Sequence, residues 1–124
     1  MYDHVGITVK DLAASLRFYQ AALAPLGHVL GPHDGSYAGF GPPDAPALWL
    51  YAGNGGNGGN STAAKTHIAL SAADHHSVQA FYQAGLEAGA KDNGAPGPRP
   101  DYSPTYYAAF LIDPDGNNVE AVCI

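Results

Sequence analysis

Two histidines and one glutamate are the residues of this chain whose types and setting could do chemistry together. His4 stands in Asp3-His4-Val5-Gly6-Ile7-Thr8-Val9, and His67 in Thr66-His67-Ile68-Ala69-Leu70-Ser71-Ala72. Side chains of a strand alternate between faces, so Val5, Ile7 and Val9 would take one face and His4, Gly6 and Thr8 the other. His67 repeats the pattern, with Ile68 and Leu70 opposite it. Glu120 alternates with Val119 and Ala121, which puts its carboxylate on the face of the histidines. An unpaired buried charge is costly, and the few Lys and Arg residues provide no obvious partner in the adjacent strands. A divalent metal held by His4, His67 and Glu120 would neutralise it and leave coordination positions free for a substrate. Each histidine alone reads more simply as a satisfied core or rim residue; the three together carry the metal reading. Such a donor set suits Fe(II), Mn(II), Ni(II), Co(II) or Zn(II).

The elements that must position these residues come from a unit that occurs twice. Laying His4 on His67 brings Val5 onto Ile68, Ile7 onto Leu70, Asp11 onto Asp74 and Leu23 onto Leu86. It also brings Phe18-Tyr19-Gln20-Ala21 onto Phe81-Tyr82-Gln83-Ala84, which indicates an internal duplication. In the first unit Asp11 caps a helix to about Ala24, stopped by Pro25 and Gly27. Its stripe Ser15, Phe18, Tyr19, Ala22 and Leu23 should lie on Val5, Ile7 and Val9. Three strands follow, at about 27–30, 36–40 and 47–51. The second unit repeats the strand and a helix over about 74–88, burying Val78, Phe81, Tyr82, Gly85 and Leu86. His75 and His76 in its first turn read as solvated.

A Pro-rich loop over 94–104 then leads to a hairpin, 105–112 and 117–124, joined through Asp113-Pro114-Asp115-Gly116. That turn sets Phe110 opposite Glu120, with Tyr106 and Ala108 on the same face. Superposing this hairpin on the one around Pro42-Pro43-Asp44 puts Glu120 on Trp49. Between the units, residues 53–62 are rich in Gly and Asn and read as a flexible connector. A phosphate loop is disfavoured there, because no GK[ST] follows and the next pattern is a strand.

With 124 residues the chain reads as one domain, 1–124, made of module 1 (about 1–52), a linker (53–62) and module 2 (about 63–124). The net charge of -6 leaves no basic stripe, so nucleic acid is not an expected partner. No apolar run approaches the ~20 residues of a membrane span. Met1 leads directly into a strand pattern without a signal-peptide layout, which makes a cytoplasmic location the expectation. Cys123 stands alone and reads as a packed apolar thiol.

The duplicated strand, helix, three-strand unit, the histidine on each first strand and the terminal DPDGNNVE resemble the vicinal oxygen chelate superfamily. That group includes glyoxalase I, extradiol dioxygenases, fosfomycin resistance proteins and bleomycin resistance proteins. The resemblance implies an α+β fold of two tandem βαβββ modules forming a cupped mixed β-sheet with helices on the outside, and a homodimer. It places metal ligands at positions matching His4, His67 and Glu120. Glyoxalase I has a fourth ligand at the position of Trp49, whose indole cannot ligate, so authentic glyoxalase I activity is not expected. Extradiol dioxygenases and fosfomycin resistance proteins typically carry tyrosine where this chain has Phe110.

The resulting expectation is a metal-dependent enzyme in which the ion holds two adjacent oxygens of a small organic substrate. Tyr106 would orient substrate or move a proton beside Glu120. Trp49, Tyr51, Tyr106 and Phe110 would line the bowl, with core packing an equal alternative for these aromatics. The loop bearing Arg99 and Tyr102 would cover it. The alternative function is a binding module that sequesters a small molecule without chemistry, as bleomycin resistance proteins do. Whether His4 meets His67 and Glu120 within one chain or across a swapped dimer is left open by the sequence.

Overall fold

Asp11 and Asp74 start the two helices as the sequence leads one to expect. Their carboxylates accept from the backbone amides of Ala14 at 3.1 Å and Ser77 at 2.7 Å, in the first turns of α1 (Leu12–Leu23) and α2 (His75–Glu87). The computed structural model describes residues 1–53 and 65–124, so the expected connector lies, beyond Gly53, outside the described residues. Before and after α1 come β1 (Val5–Val9), β2 (Val29–His33), β3 (Tyr37–Gly41) and β4 (Leu48–Ala52). Around α2 come β5 (His67–Ser71), β6 (Lys91–Pro98), β7 (Tyr107–Ile112) and β8 (Asn118–Cys123).

The strands form two four-stranded mixed sheets, in the orders β1-β4-β3-β2 and β5-β8-β7-β6. In each, the first strand runs parallel to the last of its unit and the other pairs are antiparallel. These are two tandem βαβββ modules, the α+β architecture that the resemblance implies. The register expected of the last hairpin holds: Phe110 pairs with Glu120, and the Asp113 amide donates to the Asn117 carbonyl at 2.9 Å. Gly116 takes φ 89°, the left-handed conformation that the turn requires.

Three expectations are corrected. The Pro-rich stretch is a loop only from Arg99 onward; its first half is β6, an edge strand with two register shifts, where proline's missing donor leaves no ladder bond unmade. Val5 is exposed: burial rises along β1 from Val5 through Ile7, which packs against the core, to the fully buried Val9. His75 is exposed but not merely solvated, since its ring stacks on Tyr107 with centroids 3.8 Å apart.

Each helix covers one face of its sheet and the two helices pack on each other. Phe18, Tyr19, Ala22 and Leu23 of α1 join Val78 and Phe81 of α2 in one apolar cluster with Leu50, Leu111 and Val119. Gly85 makes this packing possible: a Cβ there would meet Leu111 Cδ1 at 2.3 Å and Phe18 Cε1 at 3.1 Å. The last hairpin also clasps the first module. Tyr19 Oη donates to the buried Asp113 carboxylate at 2.6 Å, and the Lys10 amide donates to Asp115 at 2.9 Å. Burial and the neighbouring carboxylate push the Tyr19 phenol far above its ordinary value, so it holds its proton. On the uncovered face of each sheet, the other half of the strand alternation stands open.

Candidate functional site

On the open face of the second module, β8 presents Glu120 beside β5. Its helix-facing neighbours Val119 and Ala121 are fully buried, which fixes the carboxylate on the opposite side. Glu120 is nonetheless 2 % exposed, a carboxylate held among side chains. Tyr106 Oη donates to its Oε2, and His67 Nε2 stands 3.1 Å from its Oε1. That bond to Glu120, more than burial, pushes the Tyr106 phenol up to about 12. The other nitrogen of His67, Nδ1, lies 3.1 Å from the Asn118 carbonyl oxygen. A carbonyl can only accept, so Nδ1 carries a proton and the neutral ring has its Nε2 lone pair turned to Glu120. Two electron-rich atoms 3.1 Å apart call for a cation, either a second proton on the imidazole or a metal ion.

The remaining expected ligand contacts of this module border a cleft of about 310 Å³ lined by Asn93, Gly94, Arg99, Tyr102, Phe110 and Asn118. Phe110 faces His67 with ring centroids 6.4 Å apart, and the Arg99 guanidinium lies 5.4 Å from the Phe110 centroid. Arg99 donates to the carbonyls of Ala95 at 2.7 Å and Gly97 at 2.9 Å, so its fork braces the loop. Tyr102 packs edge-on against Tyr106 with centroids 5.0 Å apart.

Trp49, Tyr51 and His4 lie on the open face of the first module instead. With Asp3, Pro32, Tyr37 and Pro46 they line a second cleft of about 650 Å³. His4 Nδ1 sits 2.6 Å from Asp3 Oδ1, on an exposed side chain. The structure therefore brings His67, Glu120 and Tyr106 into contact, with Phe110, Arg99 and Tyr102 around them, and keeps His4, Trp49 and Tyr51 together on the other sheet. The single bowl expected from the sequence is two half-clefts in one chain. Among the described residues, no three His, Cys, Asp or Glu side chains gather to hold a metal ion.

Between the halves, the edges of β1 and β5 that no other described strand pairs border a gap of about 590 Å³, lined by residues 2–7 and 66–70 with Ala47. His4 and His67 both face it, as do Val5, Ile7, Ile68 and Leu70.

Sequence reasoning did not single out Asn118, whose role is carried by a backbone carbonyl, nor Tyr37, Gly6 and Gly39, which shape the first cleft. It passed over Asp113 and Asn117 as turn formers. Asn117 Oδ1 also accepts from the Thr66 amide at 2.9 Å and so fixes the entry to β5 beside His67. The only signal for that was the polar density of DPDGNN itself.

The family model described as the Glyoxalase/Bleomycin resistance protein/Dioxygenase superfamily matches residues 2–121. No curated protein matches the chain. Among solved structures, a glyoxalase/bleomycin resistance protein from Albidiferax ferrireducens T118 superposes with a TM-score of 0.82 at 29 % identity, covering 100 % of this chain and 99 % of its own. A glyoxalase/bleomycin resistance protein/dioxygenase family enzyme from Burkholderia phytofirmans PsJN gives 0.74 at 18 % identity, over 98 % and 97 %. A lactoylglutathione lyase from Agrobacterium tumefaciens gives 0.66 at 19 %, over 99 % and 92 %. The last two share the fold alone.

Proposed function

Given that the chain belongs to the glyoxalase/bleomycin resistance protein/dioxygenase superfamily, we propose that it is a metal-dependent enzyme of the vicinal oxygen chelate type acting on a small organic substrate. The single observation that carries this reading is the facing of His67 Nε2 and Glu120 Oε1 at 3.1 Å, with the opposite nitrogen of the ring already committed to the Asn118 carbonyl. That is the tautomer and orientation a metal-ligating histidine needs. Fe(II), Mn(II), Ni(II), Co(II) or Zn(II), once bound, supplies Lewis acidity toward two adjacent substrate oxygens.

The donor set fits in part. One chain supplies His67 and Glu120, and the third donor, His4, is supplied by a second copy in a homodimer. In support, β1 and β5 each have one edge that no other described strand pairs, and the apolar side chains of Val5, Ile7, Ile68 and Leu70 face an open gap. The same pairing would close the Trp49 and Tyr51 half-cleft over the Glu120 half. Phe110, Arg99 and Tyr102 then border the substrate, while Trp49 takes the place of a fourth ligand. Tyr106 keeps its proton at neutral pH and donates it in the hydrogen bond to Oε2, which positions the Glu120 carboxylate.

The separation of His4 from the other two donors favours a second reading, a module that sequesters a small molecule without catalysis. Elemental analysis of protein purified without chelator or metal-affinity resin separates the two. The enzyme reading expects about one transition metal per chain, with binding at least about tenfold weaker in Glu120→Gln. Metal-free protein that takes up none of the five ions would leave the sequestration module.

A further inference from the structure

We infer that the cleft on the open face of the first module binds a flat organic cation. The inference deepens the proposed function, since it rests on Trp49 and Tyr51 as ligand-contacting residues and names the class of ligand they would take.

The floor of this cleft is built from aromatic rings laid over glycines. Trp49 and Tyr51 are alternate residues of β4 and point to the same open side, where Trp49 is flanked by Gly6 of β1 and Gly39 of β3 and Tyr51 by Thr8 and Tyr37. A Cβ on Gly39 of β3 would lie 2.7 Å from Trp49 Cζ3 and 2.9 Å from Cη2. A Cβ on Gly6 of β1 would lie 2.7 Å from Tyr51 Cε2. The indole therefore leans over β3 and the phenol over β1, and together they cover three strands with ring surface. Tyr37 raises a wall beside the indole, with centroids 6.1 Å apart and planes tilted by 45°. Pro32 and Pro46 complete an apolar rim.

The lining carries no permanently positive side chain. Asp3 is its carboxylate, paired to His4, and no Lys or Arg borders the cleft. The faces of Trp and Tyr rings carry negative quadrupole potential, which attracts a cation, and their breadth favours a flat one through dispersion. An anion would meet these faces, the Asp3 carboxylate and a chain of net charge -6. At about 650 Å³ the cleft is of the size that takes a small organic molecule.

Trp49 is the chain's only tryptophan, so its fluorescence reports directly on the floor. The test titrates 1-methylquinolinium, neutral isoquinoline and naphthalene-2-sulfonate by calorimetry and Trp49 fluorescence into wild type whose metal content has been measured. The cation should bind saturably and about tenfold more tightly than either other probe. Trp49→Leu and Gly39→Ala, each checked for an intact thermal transition, should weaken it about tenfold by calorimetry, and Asp3→Asn should narrow its lead over isoquinoline. Equal affinity for the three probes, tighter binding of the sulfonate, no saturable binding, or binding indifferent to Trp49→Leu would overturn the inference. Failure of the metal reading would show instead as wild type that holds no metal and still binds the cation.

Discussion

Glu120 shows at the residue scale what a local sequence pattern can and cannot reveal. Alternation alone placed its carboxylate on the open face, and the turn at Asp113-Pro114-Asp115-Gly116 set it opposite Phe110. The partners that make it chemically interesting were only half legible. His67 was readable from its strand, whereas the Asn118 carbonyl that fixes the ring has no side-chain signature. Tyr106 was readable as a neighbour on that face, and the structure adds that its hydroxyl is bound to Glu120 Oε2. Tyr106→Phe would leave that buried oxygen without a donor and should cost about 1–3 kcal/mol in urea unfolding at neutral pH. The same bond predicts an alkaline signature. The phenol is raised from 10.0 to about 12 in the folded state, so the native protein keeps this proton longer than the unfolded chain does. The stabilisation is whole below pH 10 and is lost as pH rises through about 12. Thermal melts of wild type should therefore fall more steeply over that window than those of Tyr106→Phe. Tyr19 is also raised but is present in both proteins, and so cancels in the comparison. Parallel alkaline profiles would remove Tyr106 from the site.

At the scale of elements, the helices were the most legible parts, because their caps and apolar stripes are local. Ser15, Phe18, Tyr19, Ala22 and Leu23 are the residues buried along α1, as their spacing predicts. The β6 edge was misread as loop, since proline and glycine are poor strand residues except where no neighbour needs the amide. How the two units meet was also hidden, because it depends on contacts between residues far apart in the chain. Gly85 records that contact: it corresponds to Ala22 in the duplication, and the two face each other with 3.6 Å between Ala22 Cβ and a Cβ built on Gly85. Gly85→Ala gains helix propensity but drives a methyl into Leu111 and Phe18. The clash should prevail, lowering stability by about 1–3 kcal/mol in chemical denaturation with the fold retained. An unchanged or raised midpoint would mean that the helices are packed less closely than described.

For the whole molecule, one chain is a pair of half-clefts with apolar strand edges between them. The duplication foretold two modules, but a sequence cannot say which copy a module faces, and that decides whether His4 reaches Glu120. If a second copy fills the gap, Val5→Asp should shift sedimentation from dimer to monomer and abolish metal binding without unfolding the chain, because Val5 is already exposed in the monomer. A dimer that persists with its metal would place the interface elsewhere.

The most direct test mixes two variants that should each be metal-free, His4→Ala and His67→Ala, after dissociating and reassociating the copies. A heterodimer has one intact site, with His67 and Glu120 from the first variant and His4 from the second. Random reassociation should therefore restore about one metal ion for every four chains. Metal retained by either variant alone, or a mixture that stays empty while wild type is loaded, would contradict a centre shared between copies.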